Sequence, residues 1–131
     1  MSVGSLLVLY LLFRVKHLIC DFFLQTDWMA LNKSNPGTDG LSALLTHAGI
    51  HAVGTLVIIM LFAPGFWWLA IVDFVVHGGI DRIKGVVTKK MGWNPKDTYF
   101  WWALGVDQEA HNLTHLAYIV LIVIAKGGLM L

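Results

Sequence analysis

The stretch Asp107-Gln-Glu-Ala-His111-Asn-Leu-Thr-His115-Leu-Ala-Tyr-Ile-Val-Leu-Ile-Val-Ile-Ala125 decides the reading of this chain. Its second half is an apolar run with no Gly or Pro to break it. Its first half spaces Asp107, His111 and His115 four residues apart. Positions i and i+4 share one face of an α-helix, so the segment predicts a long helix with a single stripe of metal-ligand side chains. The same spacing recurs three times, as His17-xxx-Asp21, His47-xxx-His51 and Asp73-xxx-His77-xxx-Asp81. Each of the six histidines belongs to one of these groups.

The surroundings of these stripes are apolar. The chain is 57% hydrophobic and only 13% charged, with a mean hydropathy of +0.71. Soluble domains carry about a quarter charged residues, so this is a membrane composition. A net charge of +1 offers no electrostatic footprint for nucleic acid. Cys20 is the sole cysteine, which excludes an intrachain disulfide. The N-terminal apolar run has no basic residues before it, and Arg14 and Lys16 follow it. That order predicts a retained first membrane helix and not a cleavable signal.

Turn signals divide residues 1–131 into one domain of four helices, at about 3–30, 40–62, 66–89 and 98–126. Asn35-Pro36-Gly37, Ala63-Pro64-Gly65 and Met91-Gly92-Trp93-Asn94-Pro95 mark the breaks, and Asp39 is placed to cap the second helix. Each helix is long enough to cross a hydrocarbon core of about 30 Å. The expected fold is therefore all-α, an antiparallel bundle of four transmembrane helices. With the first and third loops on a side called X, all four ligand groups fall in the X half, roughly 8–20 Å below its surface at 1.5 Å per residue. Side X carries Lys33, Arg82, Lys84, Lys89, Lys90 and Lys96, and side Y carries Lys126. The positive-inside rule makes X cytoplasmic and both termini external. Trp67 and Trp68 near Y, and Trp28, Trp93, Trp101 and Trp102 near X, fit two interfacial belts.

An aspartate at the centre of a membrane helix costs about 2.5–3.5 kcal/mol. Asp21, Asp73, Asp81 and Asp107 together would cost on the order of 10 kcal/mol if unpaired. Arg14 and Lys84 are the cations expected at similar depth, too few for four carboxylates. Two divalent metals balance the charge. The expected ligands are His17, Asp21, His47, His51, Asp73, His77, Asp81, Asp107, His111 and His115. Gln25 and Gln108 are expected to orient them from behind. A His/Asp set without thiolate suits zinc, iron or manganese, and four-helix bundles build dinuclear centres in this way. Arg14 and Lys84 would then be free to hold an anionic substrate. Gly49, Gly54, Gly78, Gly79, Gly85 and Gly105 allow the close helix packing that short Asp side chains require, and would also suit a homo-oligomer in the membrane.

The string His17-Leu-Ile-Cys-Asp21-Phe-Phe-Leu-Gln25-Thr-Asp-Trp-Met-Ala-Leu-Asn-Lys33 resembles the opening of the membrane family known as domain of unknown function 3307. His47, then His77, Asp81 and Lys84, then Asp107, Gln108, His111 and His115 resemble the rest of its pattern, so the resemblance spans nearly the whole chain. It implies a source in bacteria or phage, hence a bacterial inner membrane location, and it implies no activity. By architecture alone, the chain is also similar to the membrane-bound metal-dependent hydrolases.

Three functions compete, and a fourth, haem ligation by paired histidines, is disfavoured because it would leave four carboxylates unexplained. The first is a metal-dependent hydrolase acting on a lipid or lipid-linked anion. The absence of HExxH argues against a zincin-type protease. The second is a di-iron enzyme oxidising acyl chains, disfavoured by the lack of His-His pairs. The third is a divalent-metal transporter or sensor, disfavoured by the apolar stretches Thr55–Phe62 and Leu116–Ile124, which leave no polar path to side Y.

Overall fold

A computed structural model describes residues 1–128. The described residues form helices and turns, with no strand. In chain order, α1 spans Val3–Leu18 and runs into a π-helical turn at Ile19–Phe23. Then come the short α2 at Asp27–Asn32 and the long α3 at Gly37–Phe62. After a 3-10 turn at Pro64–Phe66, α4 spans Leu69–Lys90 and α5 spans Thr98–Ala125.

The expected first helix over residues 3–30 is broken, and the break has local causes. The π turn ends with the Leu24 amide donating to the Ile19 carbonyl at 2.9 Å. Thr26 then takes an extended conformation, and its hydroxyl accepts from the Met29 amide at 3.3 Å. That is an N-cap, so a new helix starts at Asp27. Asp39 does not cap α3 either. That helix begins earlier, at Gly37, with Pro36 as its N-cap residue.

Val3–Phe23 and Gly37–Phe62 are long and apolar enough to cross a membrane. Helices α4 and α5 have comparable length, at 22 and 28 residues, but the charged and polar side chains they carry lower their hydropathy. The distribution of polarity is inverted. Leu11, Val53, Leu61, Ile71 and Ile124 face outward, whereas His47, His51, Asp73 and His77 are at most 1% exposed. An outer surface of this kind is rare on a soluble monomer.

The interior divides by depth. Toward the Pro64 turn, Leu9, Phe13, Ile59, Leu69, Ile119 and Ile122 form a closed apolar core. Toward the other end the same helices turn His and Asp inward. Close approach rests on two of the six glycines. A Cβ on Gly54 would meet Lys16 Cγ at 2.9 Å, and one on Gly85 would collide with the Ser34 side chain. Gly79 and Gly105 face open space, so they are not needed for packing within the chain.

Candidate metal centre

Each helix delivers its stripe inward by spacing alone. The buried residues of α4 include Asp73, His77, Asp81 and Gly85, each four after the last. Those of α5 include Asp107, His111 and His115, and α3 contributes His47, His51 and Thr55. On α1 the buried stripe is Leu9, Phe13, Lys16 and His17, continued by Cys20. The π turn carries Asp21, an irregularity that often marks a functional position in a helix.

All six histidines present Nε2 to a neighbour. His51 Nε2 lies 2.9 Å from Asp21 Oδ1, and His17 Nε2 lies 3.0 Å from Asp21 Oδ2. His47 Nε2 sits between two carboxylates, 3.3 Å from Asp21 Oδ1 and 3.3 Å from Asp81 Oδ2. His47 and His77 approach Nε2 to Nε2 at 3.4 Å. His111 Nε2 is 3.1 Å from Asp81 Oδ1 and 3.6 Å from Asp107 Oδ1. The rings stack, with His77 between His51 at 3.6 Å and His111 at 4.0 Å between centroids.

Two groups converge closely enough to hold a metal ion: Asp21, His47, His51 and His77, and His77, Asp81 and His111. Within each, the ligand atoms lie within 4.8 Å of one another. Metal–nitrogen bonds of about 2.0–2.1 Å make the edge of a tetrahedral ligand shell about 3.3–3.4 Å. The His47–His77 separation of 3.4 Å has that length. Two imidazole nitrogens facing each other share at most one hydrogen bond, whereas both lone pairs can serve a cation between them.

His17, Asp73, Asp107 and His115 lie outside these two groups. Asp73 and His115 belong instead to a separate network nearer the apolar core. There, Asp73 accepts from Lys16 Nζ at 3.0 Å, Thr55 Oγ1 at 2.6 Å and Tyr118 OH at 3.3 Å. His115 Nε2 is 3.4 Å from Lys16 Nζ and 3.6 Å from Asp73 Oδ1. The expected single centre of ten ligands is thus two layers.

The cations also differ from expectation. Lys16 pairs with Asp73, and Lys33 pairs with Asp81 at 2.6 Å. Arg14 is half-buried with Nη1 unpartnered, and it does not reach the ligands because its position is off the buried stripe of α1. Lys16 was legible in principle, since it lies three residues after Phe13 and seven after Leu9 on that stripe. Lys33 was not, because it arrives from the end of α2. The turn after α2 is held over the centre by Arg82, whose Nη1 donates to the Asn35 carbonyl at 2.8 Å. Lys89 holds the same turn by donating to Asn35 Oδ1 at 2.7 Å.

Gln108 bridges the helices. Its Nε2 donates to Asp21 Oδ2 at 3.0 Å, and its Oε1 is 3.1 Å from His17 Nε2. Gln25 donates to the backbone carbonyl of Asp21 at 3.2 Å and not to the carboxylate. A polar cavity of about 90 Å³ opens beside the cluster, with Asp21, Lys33, Asp81, Lys84, Asp107 and Gln108 in its wall. That is room for several waters. Arg14 is not among the residues lining it.

Buried His and Asp groups of this geometry can bind a divalent ion, and a polar cavity beside them gives water a route to it. Neither a curated protein nor a solved structure matches the chain. A family profile does match residues 7–129. The chain therefore belongs to the family described as "Protein of unknown function (DUF3307)".

Proposed function

We propose that the protein is a four-span bundle of a bacterial inner membrane that binds a divalent transition metal and hydrolyses a lipid-linked anionic substrate. The spans are α1 with its π turn, α3, α4 and α5. The basic X side is cytoplasmic and the termini are external. The observation that carries the reading is the convergence of Asp21, His47, His51 and His77 from three elements on one buried point, next to a cavity lined by Lys33 and Lys84.

One ion per chain fits better than two. Lys16 and Lys33 offset two of the four carboxylates, and a single divalent ion offsets the rest. His77 is common to both candidate groups, and its Nε2 can serve one ion only. Zinc, iron and manganese all suit the donor set. A divalent ion there would supply Lewis acidity and a more acidic bound water. Lys84 at the cavity wall is placed to hold an anion. The Asp107 carboxylate, whose Oδ1 is buried without a hydrogen-bond partner, is placed to accept a proton from water.

The transport reading is less well supported, because the apolar core of Leu9, Phe13, Ile59 and Ile122 closes the Y half. The oxidative reading needs two ions. Metal analysis of the protein purified in detergent tests the proposal. About one transition metal per chain is expected, falling in His77→Ala and Asp21→Ala, because each variant removes one of the four converging side chains. Full retention of metal in both variants would remove these residues as ligands. Visible absorption indicates ferric iron, and the metal analysis itself distinguishes zinc from manganese where the spectrum is silent.

A further inference from the structure

The bundle carries a second cavity that the metal centre does not use. It is a groove of about 440 Å³ between α4 and α5, within the range of roughly 300–1,000 Å³ typical of small-ligand sites. Ile83, Val87 and Val106 give it an apolar wall, and Trp93 and Tyr99 stand at the X end of it, stacked at 5.5 Å. Lys84 and Asp107 line the groove and also line the polar cavity beside the His/Asp cluster. The groove and the cavity therefore share these two side chains as a common wall.

We infer that this groove is the lateral entry and acyl-chain site for an anionic lipid whose headgroup lies at Lys84. The inference rests on the hydrolase reading and names its substrate class. The wall is apolar and faces outward from the helix pair, toward the side where hydrocarbon lies in that reading. Charge selects the headgroup. With Lys16, Lys33 and Lys84 and one divalent ion set against the four aspartates, the centre carries one surplus positive charge. A single phosphodiester neutralises it.

A larger groove between α1 and α3, of about 720 Å³, is the competing site. The charged residue in its wall is Lys16, whose ammonium is committed to Asp73 at 3.0 Å. That groove offers an acyl chain a wall but offers a headgroup no free cation. It serves as an internal control.

The test uses the full chain in phosphatidylcholine nanodiscs with a trace of phosphatidylglycerol bearing a diazirine on one acyl chain. Photolabelled residues are mapped by mass spectrometry, and metal content is measured on the same samples. Label should concentrate at Ile83, Val87 and Val106 over the α1–α3 groove. Lys84→Met should lower it about tenfold, as expected for one charge-assisted contact. Ala103→Phe, which fills the groove without removing a charge, should also lower it. A phosphatidylcholine probe should label the site weakly. Label spread evenly over both grooves, or unchanged in both variants, overturns the lipid site. Groove labelling by a protein that binds no metal overturns the hydrolase reading and leaves the lipid site standing.

Discussion

The two halves of the bundle are built from the same helices and hold opposite interiors. In the Y half, Leu9, Phe13, Ile59, Leu69, Ile119 and Ile122 interlock with no polar atom to satisfy. In the X half, the same helices place His17, His47, His51, His77 and His111 around Asp21 and Asp81. Packing in the first half holds the helices in register. That register brings side chains from four helices to within hydrogen-bond distance in the second. Four of the buried Nδ1 atoms in this half, those of His17, His47, His51 and His77, have no hydrogen-bond partner among the described residues. Such groups cost stability, so the X half is built at the expense of the fold and the Y half bears that expense.

Between the halves lies the Lys16–Asp73 network, and removing half of it gives the largest expected effect. Asp73→Leu leaves a buried ammonium unpaired and should destabilise the protein by roughly 3–5 kcal/mol. The double variant Lys16→Met/Asp73→Leu should recover most of that loss, because a buried pair replaced by apolar groups is often neutral. Thermal unfolding in detergent reads both. A double variant as unstable as the single one would show that Asp73 acts through Thr55 and Tyr118 and not through Lys16.

Next in size is a cavity in the Y half. Ile59→Ala should cost roughly 2–5 kcal/mol while any metal bound per folded chain, as proposed above, stays unchanged. Loss of metal per folded chain in this variant would show that the two halves are coupled and not stacked. The smallest expected effect concerns the cover over the X half. Arg82→Met removes the hydrogen bonds to the Asn35 and Lys33 carbonyls. Hydrogen exchange over residues 27–36 should quicken about tenfold, equivalent to ~1.4 kcal/mol, with unfolding temperature nearly unchanged. Exchange that stays slow would assign the cover's position to Lys89, which donates to Asn35 Oδ1 at 2.7 Å.

Much of the site was legible because its spacing is local. His47 and His51 on α3, Asp73, His77 and Asp81 on α4, and Asp107, His111 and His115 on α5 are four residues apart. A helix carries any such set inward if it carries one member. The stripe on α1 is legible only in part: His17 stands out by its four-residue spacing to Asp21, whereas Lys16 reads as a flanking charge, although both continue the spacing of Leu9 and Phe13. The break at Thr26 was written in the Thr-x-x-Met cap but was masked by the apolar run around it.

From the residues alone followed the helices α3 to α5 and their inward faces, since each depends on periodicity within one segment. Which carboxylate meets which lysine, and how ten candidate ligands divide into two layers, depended on the packed bundle. Those choices turn on distances of about 3 Å between side chains from different helices, and no pattern within one helix encodes the separation from its neighbour.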